Sequence, residues 1–432
     1  METDGNVPHV QAKFFTKQKG ISVPDSPFSI PYNVGVIELS SLINSLLSQD
    51  EAESRGLVNF DFLVDGEFLR EPLNQFLQRK EASTESVIDI EYLERQPAPE
   101  PEDALVHDDW VAALAASQDY ILTGCYDNVV RVWNTEGDLL MTIPGHSGPV
   151  KCLAWLHNED GVAQKTFVTG SHDETLLVWR WNQQTNSLDC VHSCRGHAGS
   201  VDTVTVSPNG QRFCTGSWDK LLKIWSASLD HSADADDDEA PQKKKKKTDG
   251  QKLPSRVPLL TLSGHSEGVS SALWVNEDVV ATASWDHTIR LWDLHHGIQK
   301  SAITGAKVFL DLSICPETQL MLAASADRHV RLYDHRITDG ASVKSTFTSH
   351  TAWVSSVSWS PCHPNQFISG SYDAILKLWD TRSPKAPLYD MTGHEDKILA
   401  VDWSMPQYML SGGADNHLKI FSYQAREAQI PS

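Results

Sequence analysis

Long apolar runs are absent from this sequence, and none approaches the ~18 residues that a membrane-spanning helix requires. The first ten residues, METDGNVPHV, are acidic and polar, which does not fit a secretory signal. No G-x-x-x-x-G-K-S/T motif occurs, so no nucleotide-binding phosphate loop is predicted. These absences predict a soluble intracellular protein without a membrane anchor.

Cysteines and basic residues are also few. The seven cysteines are scattered and odd in number, which is typical of free thiols in a reducing compartment. Lysine and arginine total 36 against 57 aspartates and glutamates, giving a net charge of −21. This charge disfavours non-specific binding to a nucleic-acid backbone, so any RNA contact is expected to be local or indirect.

A ten-residue pattern recurs along most of the chain, as in GSWDKLLKIW, ASWDHTIRLW and GSYDAILKLW. Each copy has an aspartate followed six residues later by an aromatic residue, and seven such pairs occur. The pairs are Asp127 and Trp133, Asp173 and Trp179, Asp219 and Trp225, Asp286 and Trp292, Asp327 and Tyr333, Asp373 and Trp379, and Asp415 and Phe421. In most units a histidine lies about twenty residues earlier: His107, His146, His197, His265, His350 and His394. The fifth unit has TGAKVF there and lacks the histidine.

Short β-branched runs separated by Gly, Pro, Asn and Asp indicate about four strands in each unit of roughly 40 residues. One four-stranded sheet cannot bury both of its faces, whereas seven sheets around an axis can. The predicted fold class is therefore mainly β, with a seven-bladed propeller over residues 107–425. Its last blade lacks an outer strand, which we expect from within residues 92–106, in a linker over 94–106.

Each unit also combines a histidine, a hydroxyl and an aspartate, which is the composition of a hydrolase triad. A catalytic site is rarely copied in every unit, so we favour a hydrogen-bond network that specifies the fold, and no enzyme activity is predicted. The network residues are His146, Asp173, Trp179, His197, Asp219, Trp225, His265, Asp286, Trp292, His350, Asp373 and Trp379. A zinc site at Cys190, His192, Cys194 and His197 is disfavoured, because Cys190 and Cys194 would lie about 13 Å apart on one strand.

The residues just before the turn aspartates should project onto one rim of the propeller. Five of the seven are aromatic or histidine, which is the composition of a protein interface; they are Tyr126, His172, Trp218, Trp285 and Tyr372, alongside Ala326 and Ala414. The alternative is that these rings only cover neighbouring turns.

Residues 226–256 form an insertion within the propeller that is predicted to be disordered, since it carries DADDDEA and then five lysines and few aromatics. The lysines, at 243–247, are Lys243, Lys244, Lys245, Lys246 and Lys247. They are interpreted either as a nuclear import signal or RNA contact, or as part of a solvated loop.

Residues 9–93 show no repeat and follow a predicted disordered tail at 1–8. HVQAKFFT and FSIPYNV predict strands, and IELSSLINSLL predicts an amphipathic helix. VNFDFLVDGEFL and SVIDIEYL predict later strands. The order of these elements predicts a ubiquitin-like β-grasp domain. The apolar face of the helix comprises Leu39, Leu42, Ile43, Leu46 and Leu47.

The glycine–histidine openings and Trp-Asp turns resemble the WD-repeat family. Together with FDFLVDGEFLREPL they resemble the WD-repeat ribosome-biogenesis factors that carry an N-terminal notchless-like (NLE) domain. This resemblance implies a non-catalytic assembly factor for the large (60S) ribosomal subunit, needed for rRNA maturation in the nucleus, nucleolus and nucleoplasm. It implies two partners on the pre-60S particle, pescadillo and the block-of-proliferation protein, the latter bound by the propeller.

The resemblance also implies that the ubiquitin-like domain binds the metal site of the ATPase midasin and is released with its complex. Aligned on the family pattern, Glu85 would complete the coordination of a Mg²⁺ that the partner holds, which suits a cation that prefers hard oxygen ligands. No metal or other cofactor of the chain's own is expected. Glu81 is the rival position, and either residue could instead be a solvated loop charge. The alternative function is a WD-repeat adaptor of the ubiquitin pathway.

Overall fold

A computed structural model describes residues 8–18, 21–51, 58–80, 86–156, 164–229, 253–337 and 342–423 of the chain. The chain divides into two compact units. The first comprises residues 1–98 with 380–386 and 424–432, and the second comprises residues 99–379 and 387–423. No helix among the described residues is both long and apolar enough to cross a membrane.

The first unit contains a mixed five-stranded sheet and two helices. In chain order its elements are β1 (His9–Phe15), β2 (Phe28–Pro31), α1 (Val36–Glu51), β3 (Phe60–Val64), β4 (Glu67–Phe68), α2 (Leu73–Lys80) and β5 (Ile88–Glu94). The strand order is β2-β1-β5-β3-β4, and β1 runs parallel to β5. A parallel pair needs a long crossover, which α1, β3, β4 and α2 provide. This arrangement confirms the predicted β-grasp.

Both helices contribute an apolar face to the core of this unit. Leu39 and Ile43 are fully buried in α1, and the other three predicted residues of that face pack partly buried against the same core. Helix α2 lies where no element was predicted; it forms because Leu73, Phe76 and Leu77 share one buried side of a short polar segment.

The second unit begins with one strand and continues as repeated four-stranded sheets. The first strands are β6 (Glu100–Val106), β7 (Val111–Ser117), β8 (Tyr120–Cys125), β9 (Val129–Asn134), β10 (Leu139–Pro144), β11 (Val150–Trp155), β12 (Gln164–Ser171), β13 (Thr175–Asn182), β14 (Ser187–Arg195), β15 (Val201–Val206), β16 (Arg212–Ser217) and β17 (Leu221–Ser226). The next are β18 (Ser255–Arg256), β19 (Leu260–Ser263), β20 (Val269–Asn276), β21 (Val279–Ser284), β22 (Thr288–Asp293), β23 (Ile298–Thr304), β24 (Phe309–Ile314), β25 (Met321–Ser325), β26 (Val330–Tyr333) and β27 (Val343–Phe347). The last are β28 (Val354–Trp359), β29 (Gln366–Ser371), β30 (Leu376–Asp380), β31 (Tyr389–Met391), β32 (Ile398–Met405), β33 (Tyr408–Gly413) and β34 (His417–Ser422).

These strands form seven sheets, which we call blades one to seven. The innermost strands are β7, β11, β15, β20, β24, β28 and β32; each contacts the next, and β32 contacts β7. The ring is therefore closed, which confirms the predicted seven-bladed propeller. Apolar side chains from neighbouring blades pack together, as Leu122 of blade one does with Leu153 and Phe167 of blade two.

The outer strand of blade seven comes from the other end of the unit. Strand β6 pairs antiparallel with β34, with Leu105 opposite Leu418 and Ala104 opposite Lys419. Leu105 is buried at this seam. Strand β6 begins at Glu100, within a Pro- and Glu-rich segment that has little intrinsic strand propensity. The segment is nevertheless a strand, because pairing with β34 overrides its local preference.

Only the two ends of the segment predicted to be disordered are described, since residues 230–252, including the five lysines, lie outside the described part of the chain. The described ends are ordered, which corrects the predicted limits of 226 and 256. Strand β18 adds to β14 in parallel. The buried Arg256 side chain donates from Nη1 to the Ser226 carbonyl at 2.6 Å and from Nη2 to the Ser228 carbonyl at 2.5 Å. Arg256 thus ties the two ends of the insertion together.

Candidate functional site

Blade three illustrates the hydrogen-bond network that the repeat encodes. His197 Nδ1 lies 2.7 Å from Asp219 Oδ2, and His197 Nε2 lies 2.8 Å from Thr215 Oγ1. The Trp225 indole donates to the same hydroxyl at 2.8 Å. Because an indole only donates and a carboxylate only accepts, the bonds run from Trp225 to Thr215, from Thr215 to His197, and from His197 to Asp219.

Three other blades repeat the complete network. The corresponding residues are His146, Thr169, Asp173 and Trp179 in blade two; His265, Thr282, Asp286 and Trp292 in blade four; and His350, Ser369, Asp373 and Trp379 in blade six. In blade seven His394 bonds Asp415 and Ser411, but the phenyl ring of Phe421 has no N–H to donate. All twelve predicted network residues thus take part in these networks, three in each of blades two, three, four and six.

The network has the connectivity of a hydrolase triad. The exposure of its hydroxyl group to solvent and substrate therefore distinguishes a catalytic role from a structural one. The hydroxyl residues Thr169, Thr215, Thr282, Ser369 and Ser411 are all 0% exposed. A nucleophile must reach its substrate, whereas these hydroxyls have no exposed surface, and four of them accept the indole N–H of the same blade. The geometry therefore supports a structural role.

The turn aspartate also shapes the backbone in all seven blades. Its Oδ1 accepts the N–H two residues later, as from Leu221 to Asp219 at 3.0 Å. The intervening residue has a positive φ in every blade, and the short carboxylate stabilises such a turn by bonding its own backbone. These intervening residues are Asn128, Glu174, Lys220, His287, Arg328, Ala374 and Asn416.

Blades one and five depart from the pattern in the same way. In blade one Arg131 donates to Asp127 at 2.7 Å, so His107 bonds the Leu105 carbonyl and the Thr123 hydroxyl but not the aspartate. In blade five, which lacks the histidine, Arg331 takes the same place beside Asp327 at 2.5 Å. An arginine four residues after the aspartate does not by itself mark this exchange in the sequence, because Arg290 has the same spacing in blade four, where His265 still bonds Asp286.

Burial and hydrogen bonding shift the pKa values of the network in opposite directions. Burial would raise the pKa of Asp286, but hydrogen bonds from Thr288, His265 and the Ser266 amide lower it to about 2. Burial lowers the pKa of His107 to about 4, since no carboxylate bonds its ring. At neutral pH the aspartate is therefore charged and His107 is neutral.

The second feature is a ring of side chains at one mouth of the propeller's central channel. In every blade the residue before the turn aspartate donates its backbone N–H to the carbonyl of the residue that precedes the innermost strand. The seven pairs are Tyr126 and Trp110, His172 and Pro149, Trp218 and Ser200, Trp285 and Gly268, Ala326 and Val308, Tyr372 and Trp353, and Ala414 and Lys397. We call these fourteen residues the channel mouth. Trp110 and Trp353 belong to it although neither was predicted; the signal is their position three residues after the repeat histidine.

The aromatic rings of the channel mouth form two arcs. In the first arc the ring centroid of Trp285 lies 5.4 Å from that of Trp218 and 6.5 Å from that of Trp353. The ring centroids of Trp353 and Tyr372 are 5.8 Å apart. In the second arc Trp110 lies 5.2 Å from Tyr126. A Cβ at Gly268 would lie 3.1 Å from the Trp218 ring, so the glycine allows that ring to lie over the next blade.

These rings remain accessible. Trp218 is 45% exposed, and Trp110 and Trp353 are each 41% exposed, whereas tryptophans of the hydrogen-bond network are buried. Among the predicted rim residues His172 is exposed, and Tyr126, Trp285 and Tyr372 are half-buried. An exposed cluster of indoles is characteristic of a protein-binding surface.

A cavity of about 400 Å³ continues from the channel mouth and contains a charged pair. Lys151 donates to the Tyr126 hydroxyl at 2.9 Å. Burial opposes the charge of Lys151, but Tyr126 and the Asp202 carboxylate outweigh it and raise the pKa of the lysine. Burial also raises the pKa of Asp202, although Lys151 and a hydrogen bond from Ser200 oppose that rise. The Lys397 ammonium lies 5.3 Å from the Tyr372 ring centroid at the mouth.

Other predicted sites lie partly or wholly outside the described residues. Glu81 and Glu85 fall in the segment 81–85, between α2 and β5, which the structure does not describe. Cys190, His192 and Cys194 lie on β14, and no group of three or more His, Cys, Asp or Glu side chains in the described part of the chain is placed to hold a metal ion.

The fold and its repeated turn network define a WD-repeat propeller protein with an amino-terminal domain of the NLE type. The NLE (NUC135) domain matches residues 10–77. The WD domain, G-beta repeat, matches residues 103–134, 137–180, 188–226, 256–293, 341–380 and 385–422. Most of blade five falls between the matched segments, although its four-stranded sheet is complete.

Relatives named ribosome biogenesis protein WDR12 homolog match nearly the whole chain. The one from Ixodes scapularis is 51% identical over 430 residues, which is 97% of this chain and 100% of the relative. Those from Aedes aegypti and Nematostella vectensis are 47% and 42% identical, over 95% and 96% of this chain and 95% and 100% of the relatives. The chain belongs to the WDR12 family of ribosome biogenesis proteins, and its role lies in ribosome biogenesis.

Proposed function

We propose that the protein is a non-catalytic assembly factor for the large ribosomal subunit, needed for rRNA maturation, that joins partners through two separate surfaces. The observation that carries this proposal is the channel mouth, where exposed indoles surround a rigid closed ring while the repeated triads are sealed from solvent. A surface of this kind binds proteins, and buried triads contribute stability.

The propeller is the anchoring part. Its channel mouth binds the block-of-proliferation protein and thereby joins a complex with pescadillo on the pre-60S particle. The first arc, from Trp218 to Tyr372, offers four aromatic rings, which bury much surface at little cost in side-chain entropy.

The first unit is the part that engages midasin. Glu85, in the connection between α2 and β5, completes the coordination of a Mg²⁺ that midasin holds, and ATP-driven movement of midasin then strips the complex from the particle. A single carboxylate is a normal contribution to a Mg²⁺ site that keeps other oxygen ligands.

The two surfaces are separable by mutation. In pull-downs from nuclear extract, Glu85→Ala is expected to lose midasin and keep the block-of-proliferation protein, whereas Trp285→Ala is expected to do the reverse. Glu81→Ala is the matched control, four residues away on the same connection, and should behave as wild type. A chelator should reproduce the Glu85→Ala result. Midasin binding by Glu85→Ala at wild-type strength contradicts the metal-ligand role.

A nuclear protein is expected from this function, present in the nucleolus and nucleoplasm, with Lys243–Lys247 as the import signal. Replacing the five lysines with glutamine should leave the protein in the cytoplasm while binding in extract is unchanged. The ubiquitin-pathway alternative predicts instead that chelation has no effect and that an apolar patch of the first unit carries the contact.

A further inference from the structure

A second cavity, of about 410 Å³, lies between blades four and five and is separate from the channel mouth. Blade four lines it with three aliphatic side chains, Val275 on β20, Val279 on β21 and Leu291 on β22, and with the polar residues Asn276, Lys300 and Ser301. Blade five lines it with Gln319 and with the pair His335 and Arg336, which follow β26. The volume falls within the range of small-ligand pockets.

His335 is an unusual residue at its place in the repeat. It lies two residues after the aromatic that ends the third strand of the blade. At the equivalent place four of the six other blades bury an apolar or aromatic residue, and blades one and six have a threonine. The buried residues are Trp181, Ala227, Leu294 and Tyr423, and the threonines are Thr135 and Thr381. Blade five, which departs from the repeat pattern, puts an imidazole there instead.

The imidazole also has one nitrogen unused. Among the described residues, the buried Nδ1 of His335 has no hydrogen-bond partner, while the ring bonds the main chain of Gln319. A buried polar atom without a partner costs about 1–3 kcal/mol, so such an atom in a cavity wall calls for a ligand group.

The charges around the cavity favour an anion. Arg336 and Lys344 both bond Asp334, so two cations share one carboxylate. Lys300 makes no ion pair within the described part of the chain, which leaves its charge available. Burial, Arg336 and Lys300 together lower the pKa of His335, against the opposing effect of Asp334 and the Gln319 main chain. Lys300 and Arg336 both line the cavity, so an anion that entered it would lie beside two cations and the unbonded Nδ1 of His335.

We propose that this cavity binds an aliphatic group that bears a carboxylate or phosphate, with Lys300 and Arg336 facing the anion and Val275, Val279 and Leu291 enclosing the aliphatic body. On binding, His335 takes up a proton from solvent and donates from Nδ1 to the anion, which satisfies the unused nitrogen.

The test uses the full chain with isotope-labelled histidine, and His335→Gln identifies the His335 signal. Hexanoate, hexyl phosphate, 1-hexanol and inorganic phosphate are titrated separately. We expect a saturable shift of the His335 signal with hexanoate or hexyl phosphate, and the tighter of the two identifies the head group. Lys300→Gln should weaken that binding about threefold or more. Lys220→Gln, which removes a lysine outside the cavity, should leave it unchanged.

Three results would overturn the proposal. Binding of 1-hexanol as tight as that of hexanoate would exclude recognition of the anion. Inorganic phosphate binding as tightly as hexyl phosphate would exclude the aliphatic site. No saturable shift of His335 with any of the four probes would exclude the cavity as a ligand site.

Discussion

The His197 imidazole donates to the Asp219 carboxylate across 2.7 Å, in a blade where the same carboxylate also accepts the backbone N–H groups of Ala198 and Leu221. One side chain therefore holds two loops of the blade together. The same arrangement recurs in blades two, four, six and seven.

Asp219→Ala should lower the free energy of unfolding by about 2–4 kcal/mol, because it leaves the buried His197 imidazole and the half-buried Leu221 N–H without an acceptor. The midpoint of urea unfolding measures this loss. Asp189→Ala is the control, since Asp189 is 66% exposed and 3.7 Å from Arg180; it should change stability by less than about 0.5 kcal/mol. Comparable midpoints for both variants would contradict the structural role of the turn aspartate.

Ala374→Gly should stabilise the protein by about 0.5–1 kcal/mol, because Ala374 has a φ of 64° and a Cβ disfavours that conformation. The same substitution at the exposed Ala302, within strand β23, should destabilise by a similar amount, since glycine weakens a strand. Thermal melting of the two variants gives the comparison. A loss of stability in Ala374→Gly would be the opposite of the expected sign.

Acid should destabilise the protein over the pH range between the folded-state and unfolded-state pKa values of His107. Its pKa is about 4 when folded and 6.5 otherwise, so the unfolded chain binds more protons between these values and stability falls as the pH falls from 6.5 to 4. His107 alone should contribute a loss of about 3 kcal/mol. His107→Asn removes this proton uptake, so its unfolding free energy should vary less with pH than that of wild type. Parallel curves for the two proteins would exclude the assignment.

Truncation should locate the seam of the ring. A chain beginning at Pro99 keeps β6 and should unfold in one steep transition in the second unit. A chain beginning at His107 lacks β6 and leaves β34 as an open edge, so it should melt at a lower temperature and aggregate. Light scattering and thermal melting distinguish the two. Equal melting temperatures would mean that β6 adds nothing to closure.

Under the proposed function, Trp353→Ala should weaken binding of the block-of-proliferation protein about tenfold or more, as expected for an indole at the centre of an interface. Leu140→Ala is the control, because Leu140 is 36% exposed but lies on the outer strand β10, away from the channel mouth. Calorimetric titration gives both affinities. Equal weakening by the two substitutions would move the interface off the channel mouth.

Much of the fold could be predicted because the repeat states it many times. The six-residue spacing from Asp327 to Tyr333 identified blade five even without its histidine. Helix α2 could not be predicted because three buried residues among polar neighbours give a weak periodic signal. The two-residue strand β18 depends on pairing with β14, a tertiary effect that leaves no local pattern.

The site was predicted in outline only. The positions before the turn aspartates identified half of the channel mouth, but Trp110 and Trp353 precede the innermost strands and enter the ring through a backbone bond to the other half. Lys151 and Asp202 come together across blades two and three, and their pairing depends on the closed ring. The exchange of histidine for arginine beside Asp127 needs coordinates to distinguish it from a surface ion pair.

The pairing of β6 with β34 also determines when the propeller can close during synthesis of the chain. Ser422 and Glu100, which bond across it, are 322 positions apart in sequence. At about 5–20 residues per second, a ribosome needs roughly 15–60 s to make the distance between them. Throughout that interval the nascent chain contains β6 without its partner strand β34. The propeller therefore cannot close until its final strand has been synthesised.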